Sequence, residues 1–320
     1  RVSFYYRKKI SENIFLDGSE RMKILNLGSL NVDKTYSVKR FVQPKETIQA
    51  LKYEEFCGGK GLNQSVALAR AGAEVYHAGA VGEDGKLLTD TLKAAGADIR
   101  YVEQLDGASG HAVIQIDEAG QNNIIICGGA NRRIEKSYIA SVLENFGAGD
   151  LILLQNEISN IDFAMEEAKK RGLLVAFNPS PADEGVFCCN LSLVDYFILN
   201  EVEGKILAGI ESEEPQKILS ALKEKYKTAS IVLTLGDKGA YFYDGKETFF
   251  HDIYKVKAVD TTAAGDTFCG YFIAGLAMGL PHDEVLAQAS AAGALAVTKK
   301  GAAPSVPVRE AVTDFIKNYK

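Results

Sequence analysis

The sequence predicts an α/β protein with a doubly wound, mostly parallel sheet, helices on both faces and a small additional β-sheet. Short apolar runs alternate with helical patterns, as in the strand Leu151 to Gln155, the helix Ile161 to Arg171 and the strand Leu173 to Asn178. Such alternation is typical of parallel sheets with crossover helices. Two segments, about 33–57 and 107–130, carry strand patterns without helices. We expect them to form a separate small sheet.

The strands of the main sheet are predicted from short apolar runs bounded by glycine or polar residues. The first run ends at Gly28, and the turn Asp244-Gly245 joins the last two runs as a hairpin. The predicted strands are Ile24 to Leu27, Val75 to Val81, Leu151 to Gln155, Leu173 to Asn178, Tyr196 to Leu199, Ser230 to Leu235, Ala240 to Tyr243 and Thr248 to His251.

The helices are predicted from apolar residues at helical spacing and from the residues that close them. Gly72 closes the first helix, and the last two are rich in alanine and glycine, so we expect these two to pack tightly. The predicted helices are Ser65 to Ala71, one ending near Gly96, Ile161 to Arg171, Glu201 to Ala208, Pro215 to Tyr226, Phe268 to Met278 and Asp283 to Val297.

The small sheet is predicted to cover the ligand crevice as a lid. Its second segment contains the hairpin of His111 to Asp117 and Asn123 to Cys127, joined by a turn with Gly120. In open α/β sheets, ligands bind beyond the carboxyl ends of the strands. No Pro/Gly-rich linker divides the chain, which favours one domain over residues 22–320 with the lid inserted. Residues 1–21 lack a continuous apolar stretch, and we expect an N-terminal extension outside the fold.

Composition narrows the range of partners and compartments. The chain of 320 residues has a net charge of −6 and no long basic run, which argues against nucleic acid and anionic membrane surfaces as partners. No apolar run reaches transmembrane length without glycine or polar interruptions. The five cysteines form no disulfide framework or metal spacing, which fits reduced thiols and a cytoplasmic location.

The stretch from Val259 to Phe268 predicts a strand, a tight turn and a helix start. Its small residues would let backbone N–H groups point into one concavity, where the start of a helix attracts anions. Asp266 lies in the same turn, so it could be a base that deprotonates a hydroxyl while the turn holds a phosphoryl group. Alternatively, Asp266 caps the helix. This stretch alone does not separate the two readings.

Other polar residues also follow predicted strands or open predicted helices. Gly58-Gly59-Lys60-Gly61 is neither a P-loop nor a dinucleotide fingerprint, and it reads either as a ligand-binding turn or as a plain helix start. Asn63 favours ligand binding, because an amide both donates to and accepts from sugar hydroxyls. Asn31 and Asp33 could bind a polyol or form ordinary turns, and Glu157 also follows a strand, where an exposed loop carboxylate is common and indicates little alone.

Two further strand ends suit a nucleotide and its metal. Glu203 could hold Mg²⁺ through water, or it could form a capping box with Asn200. Thr234 and Gly236 lie in a turn suited to a phosphate or nucleotide edge. Because the carboxyl ends of parallel strands converge, all of these residues are expected at one edge of the sheet. Independent turns would not need polyol-binding, metal-binding and anion-binding chemistry at the same end, so their joint occurrence favours one binding site.

These motifs resemble the ribokinase (phosphofructokinase-B type) family of sugar kinases. Residues 58–64 look like its first signature, residues 260–268 like its second, and Asn200-x-x-Glu203 like its magnesium/phosphate motif. The resemblance runs from about Met22 to the C-terminal region. It implies a ribokinase-like fold and ATP-dependent phosphorylation of D-ribose at the 5-hydroxyl.

The resemblance also implies a role for each matching residue. Asp266 would be the general base, and the amides of Ala263, Ala264 and Gly265 would form the anion hole for the γ-phosphoryl group of ATP. The sugar would be bound by Asn31, Asp33, Gly59, Asn63 and Glu157, with Lys60 adding positive charge near the phosphates. ATP would contact Asn200, Thr234, Gly236 and Gly265, and Glu203 would organise Mg²⁺ through water. A monovalent cation, K⁺, would be held by Asp260, Thr262, Ala296, Lys299, Gly301 and Ser305.

The resemblance further implies a homodimer formed through the lid strands. Many family members have glycine at the position of Ala263, and many have glycine at the position of Leu87. Alanine is expected to be tolerated at position 263, because backbone N–H groups form the anion hole. The difference at Leu87 concerns only a local turn.

Three other functions remain open from the sequence. A kinase for another sugar or a nucleoside, such as fructose, deoxyribose or adenosine, shares the same fold, although a nucleoside would need an apolar pocket for its base. A non-catalytic sugar-binding protein on this fold is disfavoured by the presence of Asp266, Glu203 and Gly265. An oxidoreductase that binds a dinucleotide is disfavoured because no strand is followed by G-x-G-x-x-G.

Overall fold

The computed structural model describes residues 21–319, so the predicted extension 1–21 lies outside the described residues except for Arg21. The described residues form two sheets. The strands are β1 (Ile24–Leu27), β2 (Asn31–Ser37), β3 (Lys52–Gly58), β4 (Val75–Val81), β5 (Asp98–Gln104), β6 (Gly110–Ile116), β7 (Asn122–Cys127), β8 (Leu151–Gln155), β9 (Leu174–Asn178), β10 (Tyr196–Asn200), β11 (Ser230–Thr234), β12 (Ala240–Tyr243) and β13 (Thr248–His251).

Helices flank the larger sheet on both faces. They are α1 (Lys60–Arg70), α2 (Lys86–Ala95), α3 (Lys136–Leu143), α4 (Ile161–Lys170), α5 (Glu201–Ala208), α6 (Pro215–Lys225), α7 (Ala264–Ala277), α8 (His282–Ala296) and α9 (Arg309–Asn318). In the part of the chain that the structure describes, none of the helices is long and apolar enough to cross a membrane.

The larger sheet has nine strands in the order β13-β12-β11-β10-β9-β8-β1-β4-β5. The strands from β11 to β5 in this order are parallel, while β12 and β13 form an antiparallel hairpin at one edge. Successive residues of β1 point to opposite faces, so Ile24 belongs to one apolar cluster and Leu25 to the other. The chain therefore has the doubly wound architecture that the sequence predicts.

The two clusters hold helices on opposite faces of the sheet. Leu62 of α1, Phe272 of α7 and Val285 of α8 lie in the first cluster, and Ile139 of α3 and Met165 of α4 lie in the second. Strands that are covered on both faces read as continuous apolar runs, which is why they could be found in the sequence.

The smaller sheet has four strands in the order β3-β2-β6-β7. β2 runs parallel to β6, and the other two pairs are antiparallel. This is the second sheet that the sequence predicts, and it begins at Asn31, directly after β1. Asn31 and Asp33 therefore lie in the first strand of the small sheet and do not form a turn.

Some elements begin earlier than the sequence predicts, and others were not predicted. Helix α1 begins at Lys60 and not at Ser65, and α7 begins at Ala264 and not at Phe268. In both cases the helix continues back into the motif that was interpreted as its opening turn, through Lys60 to Gln64 in α1 and through Ala264 to Thr267 in α7. β5, α3 and α9 were not predicted. β5 is a sheet edge with charged, partly exposed residues, so it lacks the apolar run of a buried strand.

Candidate active site

The ends of β1 and β8 meet the start of α1 at one edge of the large sheet. The carboxylate of Glu157 accepts hydrogen bonds from the hydroxyl of Ser29 and from the N–H of Lys60, the latter at 3.0 Å. The N–H of Leu62 donates to the carbonyl of Ser29 at 2.9 Å. Glycine is needed for this approach, because a Cβ on Gly61 would lie 2.4 Å from the backbone of Gly28. At this edge of the sheet, the backbone that follows β1 is therefore in direct contact with the start of α1, and hydrogen bonds hold the contact in place.

Asp266 lies in the first turn of α7 and is held from α1. Its Oδ2 accepts a hydrogen bond from Nδ2 of Asn63 at 3.0 Å, and its Oδ1 accepts one from Nε2 of Gln64 at 2.9 Å. Asp266 is 7% exposed, and Asn63 is 5% exposed. Two neutral amides thus fix the orientation of the carboxylate, and neither bears a charge that would neutralise it.

The first turn of α7 presents backbone N–H groups without protein partners. Ala263, which precedes the helix, has φ 58° and ψ 12°. Across residues 21–319, no protein acceptor pairs with the N–H groups of Ala263, Gly265 or Asp266, whereas that of Ala264 donates to Thr261 at 3.3 Å. The helix dipole adds positive potential at this point. The turn has the features of an anion-binding site beside a carboxylate.

Asn31 and Asp33 reach the same region from β2 of the small sheet. Oδ1 of Asn31 accepts a hydrogen bond from Nδ2 of Asn131 at 2.8 Å. Asp33 packs over Gly58, where a Cβ would lie 2.2 Å from the carboxylate oxygen. Burial and then the nearby charge of Glu157 raise the pKa of Asp33 to about 6. Asp33 and Glu157 therefore form a pair of neighbouring acids.

Lys60 introduces a positive charge among these acids. Burial by itself would lower the pKa of its ammonium group, but Asp266, Glu157 and Glu203 together raise that pKa above its usual value. The side chain therefore remains protonated at neutral pH, and its field reaches the acids from both halves of the predicted site.

Three of the four residues predicted to meet ATP lie at the ends of β10 and β11, and the fourth, Gly265, lies in the first turn of α7. Asn200 and Thr234 are direct partners in the parallel pairing of these strands. Asn200 and Glu203 form a capping box, in which Oδ1 of Asn200 accepts from the N–H of Glu203 and Oε2 of Glu203 accepts from the N–H of Asn200, both at 2.9 Å. Gly236, with φ 58°, follows β11. The capping alternative from the sequence is thus present in the structure.

The loops with the predicted K⁺ ligands are joined by hydrogen bonds. Oδ2 of Asp260 accepts from the N–H of Gly301 at 2.9 Å, and Oδ1 accepts from the N–H of Thr262 at 2.9 Å. Burial raises the pKa of Asp260, but the bonds from Thr262 and Gly301 outweigh it and hold that pKa below its usual range. Lys299 N–H donates to the carbonyl of Ala296 at 3.1 Å.

Ser305 completes the predicted K⁺ set and is fully buried. Its hydroxyl donates to the carbonyl of Ala302 at 2.8 Å, which leaves the lone pairs of the hydroxyl oxygen available. The set offers a carboxylate, a hydroxyl and backbone carbonyls, and such oxygen donors suit a hard cation. Among the described residues, no group of three or more histidine, cysteine or acidic side chains could hold a metal ion.

The predicted residues thus fall into three groups. The sugar-side residues and Asp266 are connected around α1, Asn200 and Thr234 are adjacent, and Asp260 connects the two cation loops. Lys60 is the link between the first two groups, because its charge interacts with both Asp266 and Glu203.

Two amides in contact with these residues were not predicted. Gln64 lies next to Asn63 within the Gly-rich motif, so its position in the first turns of α1 was a usable signal. Asn131 bonds to Asn31 across 100 residues of sequence, and nothing local in the sequence indicates that contact. A separate surface cavity of about 970 Å³ is lined by Arg132, Tyr138 and Asn160, among others, and contains none of the predicted residues.

Nearly the whole chain is similar to known sugar kinases. A ribokinase from Haemophilus influenzae is 34% identical over 309 residues, covering 93% of this chain and 99% of the relative. A deoxyribokinase from Salmonella typhi is 30% identical over 304 residues, covering 92% and 99%. The structure is similar to that of an Arabidopsis thaliana ribokinase complexed with ribose and ATP, with a TM-score of 0.83, 31% identity and coverage of 93% and 99%.

A family-level match covers most of the chain. The description "pfkB family carbohydrate kinase" applies to residues 21–309, which include the motifs at residues 58–64 and 260–268, the small sheet and the predicted cation loops. The match thus extends over the same residues that the site geometry uses. The chain belongs to the pfkB family of carbohydrate kinases.

Proposed function

We propose that this enzyme transfers the γ-phosphoryl group of ATP to the 5-hydroxyl of D-ribose, with Asp266 as general base. The observation that supports it most directly is the buried Asp266 carboxylate, held by two neutral amides, beside the unpaired N–H groups at the start of α7. The relatives named ribokinase, and the neighbour solved with ribose and ATP, support the choice of substrates.

In this mechanism, Asp266 accepts the proton of the sugar hydroxyl while the hydroxyl oxygen attacks the γ-phosphorus. The bond between the γ-phosphorus and the bridging oxygen breaks, and that oxygen leaves with ADP. Backbone N–H groups of Ala263 and Gly265 would neutralise the charge on the transferring oxygens, and that of Ala264 would join them in place of its 3.3 Å bond to Thr261. General-base help contributes about 10²- to 10⁴-fold to such a step.

The sugar would be held by residues from both sheets. Oδ1 of Asn63 is buried and has no hydrogen-bond partner, so it is free to accept a bond from a sugar hydroxyl. Asn31, Asp33 and Glu157 would add acceptors. Gly59, which has a φ of 89°, would contribute its backbone at the same site. An acceptor-rich site suits a ligand that carries several hydroxyl donors.

ATP would lie along the ends of β10 and β11. Asn200, Thr234 and Gly236 would contact the nucleotide, Gly265 would meet its γ-phosphate, and Lys60 would add positive charge. Glu203 would hold Mg²⁺ through water, because Mg²⁺ in kinases is usually bound by few carboxylates and the phosphates. When bound, Mg²⁺ supplies charge neutralisation at the phosphates.

K⁺ would be bound between the two loops joined by Asp260 and Gly301. Ligands would come from Asp260, Thr262, Ala296, Lys299, Gly301 and Ser305, partly through backbone carbonyls. Because residues 260–262 lead directly into Ala263, the cation would keep the anion hole in shape. Turnover that increases when K⁺ replaces a large organic cation supports this role, and turnover independent of K⁺ contradicts it.

The small sheet would form a homodimer. Ile124, Ile125 and Ile126 of β7 are 51%, 66% and 63% exposed, an unusual run for an isolated surface. Ile125→Asp is expected to produce a monomer in sedimentation velocity, and an unchanged mass would contradict this dimer. We also propose a cytoplasmic location, which the five unpaired cysteines support.

The central test is Asp266→Ala. We expect kcat to fall about 10²- to 10⁴-fold while ATP binding, measured by calorimetry, stays near the wild-type value. Asp283→Ala is the matched control, because Asp283 is an exposed acid in the first turn of the neighbouring helix α8. Near-normal activity of Asp266→Ala would contradict the assignment.

The choice of sugar is tested with a panel in an ADP-release assay. D-ribose is expected to give the highest kcat/KM, above deoxyribose, fructose and adenosine. The deoxyribokinase relative makes deoxyribose the most informative competitor. Sugar binding without turnover would favour a non-catalytic sugar-binding protein.

A further inference from the structure

A chain of buried polar side chains extends from Asp266 to the centre of the large sheet. Nε2 of Gln155 donates to Oε1 of Gln64 at 2.7 Å and to Oδ1 of Asn26 at 2.9 Å. Asn26 donates to the hydroxyl of Ser65 at 2.8 Å, and that hydroxyl lies 2.7 Å from Nδ1 of His77. All five of these side chains are fully buried. They form one connected network beneath the proposed sugar site.

The acceptors around Gln64 fix the orientation of its amide. Nε2 of Gln64 donates to Oδ1 of Asp266 at 2.9 Å and to Oδ1 of Asn178 at 3.1 Å. Asn178 presents its oxygen here because its Nδ2 already donates to the carbonyl of Ile198. Oε1 of Gln64 accepts from Gln155 on the opposite side. A flipped amide would bring oxygen against oxygen at Asp266, so only one orientation satisfies every partner.

His77 at the far end of the network does not add a charge. Burial lowers the pKa of its imidazole to about 3, so the ring is neutral at physiological pH. The network therefore consists of neutral groups from His77 to Gln64, and Asp266 is the acid at its end. A neutral donor orients a carboxylate without neutralising it, which is what a general base requires.

We propose that Gln64 is a positioning residue that fixes the orientation of the Asp266 carboxylate for proton abstraction. Gln64 is fully buried behind Asp266, so it acts through Asp266 and not on the substrates. Asn63 holds the second carboxylate oxygen from the adjacent position of the same helix. Together they fix both oxygens, and Gln64 does so without facing the sugar. This inference rests on the proposed role of Asp266 as the base.

The test compares two variants at adjacent positions of α1. Gln64→Met keeps the length of the side chain and removes the donor to Asp266. It is expected to lower kcat about 10- to 100-fold, while KM for ribose and for ATP stays within about twofold. Ser65→Ala removes a buried hydroxyl from the same network that does not contact Asp266, and it is expected to lower kcat less than about threefold.

Thermal unfolding separates positioning from general loosening. Both variants lose buried hydrogen bonds, so both are expected to lower Tm, and only Gln64→Met is expected to lower kcat strongly. Equal kcat losses in the two variants would overturn the proposal, and so would a Gln64→Met enzyme with wild-type kcat. Gln64→Leu, which also lacks the donor to Asp266, gives a second test with the same expectation if Gln64→Met does not fold.

The wild-type enzyme and Asp266→Ala are measured in the same assay. If the wild type shows no ribose-dependent ADP release, the proposed function fails, and this inference fails with it. If the wild type is active, Asp266→Ala is inactive and Gln64→Met matches Ser65→Ala, only the positioning role of Gln64 fails.

Discussion

The nine-stranded sheet and the four-stranded sheet differ in how they are covered. Every residue of β8, at the centre of the large sheet, is buried. Every residue of β7, at the edge of the small sheet, is exposed. Both strands are rich in aliphatic residues, so composition alone does not explain the difference. Helices cover the large sheet on both faces, whereas the outer strand of the small sheet has no such cover within the described chain.

This difference divides the proposed site into two halves. Asp266, Asn63 and Gln64 belong to helices packed on the large sheet, so their geometry is set when that core folds. Asn31 and Asp33 come from β2 of the small sheet, whose outer strand β7 is exposed along its whole length within residues 21–319. We therefore infer that the proposed base is preorganised, and that the half proposed to bind the sugar responds more strongly to solution conditions.

The largest contrast is expected from truncating one aliphatic residue in each sheet. Leu153 of β8 is 0% exposed, and Leu153→Ala is expected to lower the free energy of unfolding by about 2–5 kcal/mol at any protein concentration. Ile125 of β7 is 66% exposed, and Ile125→Ala is expected to cost less than about 0.5 kcal/mol in dilute protein. Urea unfolding over a concentration series measures both.

The two variants are expected to differ in how their loss of unfolding free energy depends on protein concentration. If the proposed homodimer buries Ile125, the cost of Ile125→Ala should increase with protein concentration, and that of Leu153→Ala should not. A large cost for Ile125→Ala in dilute protein would show that the exposed strand is covered within one chain. The outer strand of the small sheet would then be covered within the chain, as the strands of the large sheet are.

The second prediction concerns the stability of the ligand-free protein. The pKa of Asp33 is raised from 3.8 to about 6, so the folded state prefers the neutral acid. The resulting destabilisation grows as pH rises from about 4 through 6 and is complete above 6. Asp33→Asn imitates the neutral form and is expected to stabilise the protein at pH 8 by on the order of 2 kcal/mol.

This gain in stability should shrink to a small remainder as pH falls towards 4, because Asp33 is then protonated in the folded state and partly protonated in the unfolded state. Urea unfolding of wild type and variant at pH 4 and pH 8 gives the comparison. A gain of equal size at both pH values would mean that charge at Asp33 is not its cause.

The third prediction is the pH dependence of sugar binding. Sugar hydroxyls would donate to the ionised carboxylate of Asp33, so binding releases a proton whenever Asp33 is protonated beforehand. KM for ribose is therefore expected to rise as pH falls below about 6, approaching tenfold per pH unit. Asp33→Asn should have a higher KM that varies little over this range. An equal slope in the variant would assign the titration to another group.

The contrast between the sheets also explains how well the sequence predicted the fold. Strands such as β8 are continuous apolar runs because both faces are covered, and that pattern is visible without a structure. β5 was missed because an edge strand with charged residues lacks that run. The early starts of α1 and α7 were missed because glycine and alanine signal turns and helix starts equally well.

The site was predictable where its residues lie in local motifs. Asn63 and Asp266 were found because each opens a helix after a small-residue turn, and the structure joins them across 203 residues. Asn131 was missed because its contact with Asn31 depends on the packing of the small sheet against the following turn. The roles of Asn200 and Glu203 stay predictions, since their capping box accounts for their local contacts without a ligand.

The smallest predicted effect concerns the one residue at the start of α7 whose backbone is strained. Ala263 has a φ of 58°, a left-handed conformation that costs a side-chain-bearing residue about 1–2 kcal/mol relative to glycine. Part of that cost is offset because glycine loses more entropy on folding. Ala263→Gly is therefore expected to raise stability by on the order of 1 kcal/mol, or about 2 °C in Tm.

The N–H of residue 263 is unchanged by this substitution, so kcat should stay within about twofold of wild type. Ala264→Gly is the matched control, because Ala264 lies within the helix and glycine there is expected to cost about 1 kcal/mol. Opposite shifts in Tm for these neighbouring positions would establish the strain at Ala263. Destabilisation by both would mean that the turn is not strained in solution, and that the preorganised half of the site holds its shape without stored backbone energy.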